Sequence, residues 1–220
     1  MQNQKITIVD FGCGNLHSIK RSLDKLNTKT TISSNINELK LADKLLLPGV
    51  GQFSYGMEML EKLHLVDVLN ELVLIKKKPI LGICLGMQLM TKHSTEGNVD
   101  GFGWFDAQTK RFDVKEPYKY KVPHVGFNNL DVQKKDGLMQ GITEEDYFYF
   151  VHAYHVNCTV KKNIAALTNY AYPFASAIEN EHIMGVQFHP EKSYLAGEKI
   201  FRNFINCCFS TIYVISNINF

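Results

Sequence analysis

The sequence predicts an α/β fold: a doubly wound, mostly parallel central sheet with helices on both faces and a smaller antiparallel flap. Two observations lead to this class. In the first half of the chain, short apolar runs alternate with segments of helical spacing, as in proteins that build a parallel sheet. After Lys92 the chain becomes richer in glycine and in short β-prone runs, which is typical of antiparallel strands joined by turns.

The first half divides into elements by its apolar periodicity. Leucine and isoleucine at spacings of three and four residues indicate helices, whereas short uninterrupted apolar runs indicate buried strands. The predicted strands are residues 6–10, 30–33, 44–47 and 80–83, and the predicted helices are residues 16–26, 53–62, 65–76 and a segment from Met87 onward.

The second half is predicted mainly as strands with one closing helix. The predicted strands are residues 104–114, 127–132, 146–151, 165–170, 175–179 and 183–188, with a loop or short helix at 136–139 and an amphipathic helix at 195–207. We expect residues 1–207 to form a single domain. Residues 208–220 then form an atypical C-terminal tail, whose apolar and β-branched composition suits an extra strand or a contact surface.

Composition and charge exclude several classes of protein. The chain has 220 residues, 45% of them hydrophobic, and a net charge of +2, which is too small for binding nucleic acid through its overall field. Its five cysteines are odd in number and form no Cys-x-x-Cys pair, so neither a disulfide framework nor a structural zinc site is expected. The polar start and the lack of a long apolar run predict neither a secretory signal nor a membrane span, which fits a cytoplasmic protein.

A cysteine between two glycines is the centre of the functional prediction. The motif Gly-Ile-Cys-Leu-Gly at 82–86 joins a predicted strand to a predicted helix, which is the arrangement of a nucleophile elbow. Small residues on either side of Cys84 allow the sharp turn, and the start of a helix favours an anionic sulfur. The N–H of Leu85 is then placed to donate to an oxyanion. The alternative is a buried structural cysteine, since free cysteine is among the most buried residue types.

A histidine and a glutamate complete the predicted catalytic group. The strand predicted at 183–188 leads directly into His189, and Glu191 follows two residues later, after a proline. A nucleophile, a base and a carboxylate that orients the base form a triad, here in the chain order Cys84, His189, Glu191. Because the carboxyl ends of parallel strands gather at one edge of a sheet, these side chains are expected to meet there.

Other polar residues have competing interpretations. Gln88, one turn into the helix after Cys84, is either an exposed polar residue or a partner for the α-amino acid head of a substrate. His152 and His155 would share a face on a helix and could then bind a metal, but on a predicted strand they point to opposite faces. His124 is predicted to order a turn. No metal site and no cofactor are therefore expected.

The elbow with its following glutamine, together with His-Pro-Glu at 189–191, resembles the triad (class I) glutamine amidotransferases. Within that superfamily the chain resembles the family of glutaminase subunits of imidazole glycerol phosphate synthase, over about residues 5–206. The further matching stretches are Asp-Phe-Gly-Cys-Gly-Asn-Leu at 10–16, Leu-Pro-Gly-Val-Gly at 47–51, Val-Pro-His-Val-Gly-Phe-Asn at 122–128, Tyr-Phe-Val-His-Ala-Tyr at 149–154 and Lys-Ser at 192–193. One such motif is a weak signal, whereas five in order are specific.

The resemblance implies hydrolysis of L-glutamine to glutamate and ammonia through a cysteine thioester. It also assigns roles to residues outside the triad. A peptide N–H at Val50 or Gly51 would be the second oxyanion donor beside that of Leu85. The remaining implied positions are Gly49, Gln88, His152 and Ala153 beside the bound glutamine, and Asn15 and Lys192 at a partner interface.

The partner implied by the resemblance is a separate (β/α)₈-barrel cyclase subunit, in a heterodimer that makes imidazole glycerol phosphate for histidine biosynthesis. Phe127, where the family usually has tryptophan, and the atypical tail leave open an ammonia donor for another synthase, such as one that modifies a nucleotide sugar. A cysteine peptidase or related hydrolase is a second alternative, against which Gln88 argues. A non-catalytic binding module of the same fold is a third, against which the intact triad argues.

Overall fold

The computed structural model describes residues 4–207, so the predicted tail at 208–220 lies outside the described residues. In the first half, strands and helices alternate as the apolar periodicity predicts. They are β1 (Lys5–Val9), α1 (Leu16–Asp24), β2 (Lys29–Ser33), α2 (Ile36–Lys40), β3 (Lys44–Gly49), α3 (Phe53–Lys62), α4 (Leu65–Asn70), β4 (Ile80–Cys84) and α5 (Leu85–Leu89).

The second half consists of strands and one closing helix. These elements are β5 (Thr91–Ser94), β6 (Val99–Asp100), β7 (Phe105–Arg111), β8 (His124–Asn128), β9 (Asp131–Val132), β10 (Phe148–His152), β11 (Tyr154–Cys158), β12 (Ile164–Tyr170), β13 (Tyr172–Asn180), β14 (Ile183–Val186) and α6 (Tyr194–Asn206).

One twelve-stranded sheet organises the molecule. Its order begins β2-β1-β3-β4-β14, and these five neighbours are all parallel. From β14 the sheet continues through antiparallel β13, β11 and β7, and ends at β5 and β6, while β9 and β12 lie off this path. A separate ribbon pairs β8 with β10 in antiparallel register. The predicted doubly wound, mostly parallel fold with an antiparallel part is thereby confirmed.

The two faces of the sheet bury two separate hydrophobic clusters. In β3, Leu46 belongs to one cluster, whereas Leu45 and Leu47 belong to the other, because successive strand residues point to opposite faces. Helices α1 and α6 pack on the face of Leu46, and helices α3 and α4 pack on the opposite face. Among residues 4–207, no helix is both long and apolar enough to cross a bilayer.

Several elements differ from the sequence-based prediction, among them the short strands β5 and β6, which were not predicted. The helix predicted at 65–76 is α-helical only as far as Asn70, and Glu71–Ile75 then form a π-helix. The strand predicted at 127–132 is wrong, because β8 ends at Asn128 and β9 pairs with a different strand, β12. The unpredicted helix α2 is a single turn, too short to show a period, and its N–H groups are capped by the Asn35 side chain.

Candidate active site

Cys84 occupies a strained turn between β4 and α5. Its backbone has φ 55° and ψ −109°, a conformation that non-glycine residues rarely adopt and that is characteristic of functional sites. The close packing of this turn explains Gly86, since a Cβ there would overlap the carbonyl oxygen of Leu47. Cys84 is only 7% exposed, so it is shielded from bulk water.

Three parallel strands bring the candidate residues to one edge of the sheet. Strand β4 lies between β3 and β14, and Gly49 at the end of β3 is paired with Cys84. Strand β14 is in register with β4 at Val186 and Ile83, so the chain that follows β14 delivers His189 beside Cys84. This is the carboxyl edge of the parallel strands, where α/β sheets gather ligands and catalytic groups.

His189 is held firmly by its backbone. Its N–H donates to the Tyr149 carbonyl at 2.9 Å, which ties the segment after β14 to β10. Its carbonyl accepts a bond from the Ser193 hydroxyl at 2.7 Å, and the same hydroxyl oxygen accepts a bond from the Tyr149 N–H at 3.0 Å. The imidazole therefore has little freedom to move away from Cys84.

His189 and Glu191 form a buried hydrogen-bonded pair. His189 Nδ1 donates to Glu191 Oε1 at 2.8 Å, and both side chains are 3% exposed. Glu191 therefore fixes the proton on Nδ1 and leaves Nε2, which has no hydrogen-bond partner among the described residues, to act on Cys84 and on a substrate. Burial lowers the pKa of His189, but its interactions with Cys84 and Glu191 outweigh burial and raise the pKa to about 10.

The candidate oxyanion donors come from the elbow itself and from the segment after the neighbouring strand β3. Leu85 begins α5, so its N–H belongs to a first helical turn, whose N–H groups have no acceptor within the helix. Val50 follows β3 and is 45% exposed. Gly51 has φ 109° with open space around its Cα, whereas a Cβ on Gly49 would come within 3.0 Å of the Leu85 side chain. Freedom of the Val50 peptide to rotate therefore comes from Gly51.

Gln88 is buried, so the interpretation as an exposed helix residue is wrong. Only 5% of its surface is exposed, and its Nε2 donates to the Tyr154 carbonyl at 2.9 Å and to Gln187 Oε1 at 3.0 Å. Tyr154 follows His152 and Ala153, so the structure brings these three positions next to Gln88 at the carboxyl edge of the sheet.

The two histidines of the His-x-x-His motif lie on two different strands. The expectation that they point to opposite faces of a single strand is therefore wrong. His152 ends β10 and His155 lies in β11, and both rings contact Phe112, at 5.2 and 4.7 Å between centroids. His124 is likewise not a turn residue. It is the buried first residue of β8, and its Nδ1 lies 3.1 Å from His152 Nε2. Burial lowers the pKa of His124 to about 4 and that of His152 to about 3.

The predicted interface residues meet the catalytic group at a small cavity. Asn15 and Lys192 line a space of about 20 Å³ together with Val50, His189 and Glu191. Asn15 is exposed and caps α1 by accepting a bond from the Ser18 N–H, and Lys192 is exposed with its ammonium 5.3 Å from the Tyr149 ring centre. Within residues 4–207, no group of three His, Cys, Asp or Glu side chains is arranged to hold a metal ion.

Sequence reasoning missed Gln187. Its side chain is fully buried, and its Nε2 lies 3.7 Å from Cys84 Sγ, although 103 residues separate the two positions. A signal was present, because Gln187 is a polar residue within an apolar run and stands two residues before His189. Alternate residues of an extended chain point to the same side, so a spacing of two residues directs Gln187 to the side on which His189 lies.

Comparison with known proteins identifies the family. The model of the glutamine amidotransferase class-I family matches residues 7–207. The chain belongs to this family. That membership agrees with the elbow, the histidine–glutamate pair and the sheet edge at which they meet, and the predicted glutamine amidotransferase is confirmed.

Curated members of the class-I glutamine amidotransferases place the chain more narrowly. It is 44% identical to the imidazole glycerol phosphate synthase subunit HisH 2 of Methanococcus maripaludis, over 91% of this chain and 98% of that protein. It is 40% identical to HisH 2 of Pseudomonas aeruginosa, over the same shares of the two chains. In fold, it resembles the crystal structure of a glutamine amidotransferase from Thermotoga maritima, with a TM-score of 0.64 and 14% identity over 87% of this chain and 77% of that one.

Proposed function

We propose that this chain is the glutaminase subunit of an imidazole glycerol phosphate synthase. It hydrolyses L-glutamine with Cys84, His189 and Glu191, and it passes the ammonia to a (β/α)₈-barrel cyclase subunit. The observation that supports this most strongly is the buried 2.8 Å bond between His189 and Glu191 beside a cysteine on a strained elbow. Such an arrangement has a nucleophile, a general acid–base and an orienting carboxylate in one place.

The reaction begins from a charged pair. With a pKa of about 10, His189 is protonated at neutral pH, and its positive charge faces the Cys84 thiolate. The thiolate attacks the side-chain amide carbon of glutamine, and the oxygen that becomes negative is held by the Leu85 N–H and a peptide N–H at Val50 or Gly51. His189 Nε2 then gives its proton to the amide nitrogen, ammonia leaves, and a glutamyl thioester remains.

The second half of the reaction restores the pair. A water molecule attacks the thioester carbon while neutral His189 takes one of its protons. The carbon–sulfur bond breaks, glutamate leaves, and Cys84 is again a thiolate facing protonated His189. Glu191 accepts a hydrogen bond from Nδ1 throughout, so Nε2 is the ring nitrogen that carries the transferred proton in both steps.

Gln88 can recognise the substrate through one atom only. Both protons of its Nε2 are engaged, by the Tyr154 carbonyl and by Gln187 Oε1. Oε1 of Gln88 therefore remains to accept a bond, which suits the α-ammonium group of glutamine and not its carboxylate. The backbone around His152 and Ala153 and that of Gly49 supply the other side of the proposed glutamine pocket.

An exposed aromatic surface beside the site supports docking of a partner. Phe127 stacks on Tyr194 with ring centres 5.9 Å apart and contacts Tyr149 at 5.5 Å, and the Lys192 ammonium lies over Tyr149. Phe127 is 49% and Tyr194 83% exposed. Exposing neighbouring aromatic rings to water is unfavourable, and such patches commonly mark protein–protein contact sites. Lys192 links this surface to the small cavity that Asn15 and His189 also line, so a partner docked here would adjoin the catalytic group.

The relatives decide which acceptor is proposed. Proteins 40% and 44% identical to this chain are named as subunits of imidazole glycerol phosphate synthase, which favours that synthase over one that modifies a nucleotide sugar. Docking on the aromatic surface would also keep ammonia from being protonated in bulk water before it reacts.

Replacement of the nucleophile tests the proposal. In the complex with its synthase subunit, Cys84→Ala should lower glutamate release by about 10⁴-fold or more, because no thioester can form. Synthesis supported by added ammonium salt should persist, since ammonia use takes place on the partner. Cys158→Ala is the matched control, because Cys158 is a half-buried cysteine on β11, remote from the elbow in sequence, whose thiol donates to the nearby Val160 carbonyl. Glutamine-dependent turnover that survives in Cys84→Ala would contradict the assignment.

A further inference from the structure

A continuous hydrogen-bonded chain runs from the β8–β10 ribbon to the catalytic sulfur. His124 Nδ1 lies 3.1 Å from His152 Nε2, and His152 Nδ1 lies 2.7 Å from the Tyr154 carbonyl oxygen. The same carbonyl is 2.9 Å from Gln88 Nε2, which lies 3.0 Å from Gln187 Oε1. Gln187 Nε2 ends the chain, 3.7 Å from Cys84 Sγ.

The Tyr154 carbonyl determines the direction of every bond in this chain. A carbonyl oxygen can only accept, so His152 Nδ1 and Gln88 Nε2 must both donate to it. Since burial keeps His152 neutral, its Nε2 must accept, and His124 Nδ1 must donate. On the other side, Gln88 Nε2 donates to Gln187, so the atom of Gln187 that faces it must be Oε1.

The orientation of the Gln187 amide follows without further assumption. With Oε1 turned toward Gln88, the NH₂ group of Gln187 is the part that faces Cys84. The Gln187 backbone is anchored as well, because its N–H donates to the Ser176 carbonyl at 2.9 Å. If the Gln187 amide were rotated by 180°, its NH₂ group would face the NH₂ group of Gln88, and its oxygen would face the Cys84 sulfur. Two donors would then be opposed in a fully buried position, which costs free energy.

We propose that Gln187 is a positioning residue whose amide N–H donates to the Cys84 thiolate, holding the sulfur in its anionic form and aimed at the substrate carbon. The proposal rests on the glutaminase function proposed above. Gln88 supports this role by fixing the Gln187 amide, in addition to its proposed contact with glutamine. A hydrogen bond to a charged group is stronger than one between neutral groups, and burial strengthens it further.

Two substitutions of Gln187 separate donation from packing. Gln187→Glu keeps an oxygen for Gln88 and turns the donor beside the sulfur into an acceptor, whereas Gln187→Leu removes both bonds at similar volume. The pH dependence of Cys84 alkylation by iodoacetamide is measured on the full-length chain by mass spectrometry. Both variants should move the half-maximal pH upward by about one unit or more, because the thiolate loses a donor. The charged groups near the sulfur, His189 and its partner Glu191, are the same in both variants and in the wild type.

Steady-state kinetics with the synthase subunit give a second measurement. In both variants kcat should fall by about 10- to 100-fold with KM for glutamine changed by less than about threefold, since Gln187 contacts the nucleophile and not the substrate. Gln88→Met should shift the alkylation profile in the same direction although Gln88 does not contact the sulfur. Ser176→Ala is the matched control, because the buried Ser176 hydroxyl has no partner among the described residues and its backbone still anchors Gln187.

The alkylation profile decides the outcome. Profiles of Gln187→Glu and Gln187→Leu that overlay the wild-type profile would overturn the proposal, even if kcat and the melting temperature both fall, because a packing role predicts that combination. If the Gln187 variants do not fold, a Gln88→Met profile that coincides with wild type overturns it equally. Alkylation needs no glutamine turnover, so this result is independent of whether the chain releases glutamate.

Discussion

Glu191 and His189 lie two residues apart, and their mutual bond is almost completely shielded from water. Glu191 Oε2 has no hydrogen-bond partner among the described residues, so the carboxylate interacts with the protein mainly through His189. Its charge helps to raise the pKa of His189 to about 10, against the opposing effect of burial. At the residue scale, therefore, Glu191 determines the tautomer of the general acid and, together with Cys84, raises its pKa.

Glu191→Gln should impair turnover far more than substrate binding. The amide still offers an oxygen to Nδ1 but no negative charge, so the pKa of His189 should fall from about 10 and less of the imidazole is protonated to donate to ammonia. We expect kcat to fall by roughly 10²- to 10⁴-fold with little change in KM. Steady-state kinetics and an NMR titration of His189 measure the two effects.

The control for this substitution is Glu181→Gln, an exposed carboxylate at the other end of β14. It should leave both kcat and the His189 titration unchanged. A large rise in KM with kcat intact in Glu191→Gln would place Glu191 in substrate binding and remove it from the triad.

At the scale of elements, the β8–β10 ribbon is attached to the large sheet through buried histidines. The His124 ring stacks on Tyr170 of β12 at 4.0 Å, and the His152 Nδ1 donates to the Tyr154 carbonyl of β11 at 2.7 Å. Within the ribbon, His124 stacks on Phe150 at 4.9 Å and its Nδ1 donates to His152. Both rings are neutral when folded, since burial lowers the pKa of His124 to about 4 and that of His152 to about 3. The ribbon carries Tyr149, which holds the His189 backbone, so its attachment also supports the triad.

This pair predicts a loss of stability in acid. Below about pH 6.5 the unfolded chain binds protons on these histidines while the folded chain does not, so the free energy of unfolding falls as the pH drops toward 4. His124→Asn supplies a neutral donor near the position of Nδ1 and cannot titrate. The variant should therefore show a shallower slope of stability against pH, by up to about 1.4 kcal/mol per pH unit.

Urea unfolding at several pH values between 4 and 7 measures the slope, with His17→Asn, at an exposed position on α1, as the control. A slope in His124→Asn equal to that of the wild type would show that His124 titrates alike in the folded and unfolded chains.

At the scale of the whole molecule, the active site opens onto the surface proposed for the partner. Lys192 and Asn15 border the same small cavity as His189, and the exposed Val50 lines that cavity too. The peptide at Val50 adjoins Gly51, whose φ of 109° and open surroundings permit two orientations of its N–H. A docked partner can therefore favour the orientation that completes the oxyanion site.

The isolated chain should release glutamate slowly, and its synthase subunit with bound acceptor ligand should accelerate the reaction. An oxyanion site that lacks one donor loses about 10²- to 10³-fold in rate, which sets the expected stimulation. Glutamate release is measured for the chain alone, with partner, and with partner plus ligand. Lys192→Ala should reduce the stimulation, whereas Lys162→Ala, on the 3₁₀ turn before β12, should not. Equal rates under all three conditions would show that the oxyanion site is complete without a partner.

Local sequence determined much of this protein. The elbow is a contiguous strand, turn and helix, and the requirement for a small residue at Gly82 arises within that turn's own packing, because a Cβ there would lie 2.7 Å from the Met87 backbone nitrogen. The motif at 82–86 could therefore be recognised alone. His189 and Glu191 bond across two residues, which local sequence also encodes. The parallel half of the sheet was predictable because its strands are short apolar runs and its longer helices, unlike α2, show an apolar period.

Tertiary structure decided whatever depends on partners distant in the chain. Periodicity says which side of a strand is buried but not which strand lies beside it, so it could not place β14 between β4 and β13 or separate β8 from β9. The hydrogen bond between His124 and His152 spans 28 residues, and the bond from Gln187 to Cys84 spans 103 residues. The triad could be predicted because each of its two parts, the elbow and the His189–Glu191 pair, is local, whereas the folded sheet alone brings these parts together and adds Gln187.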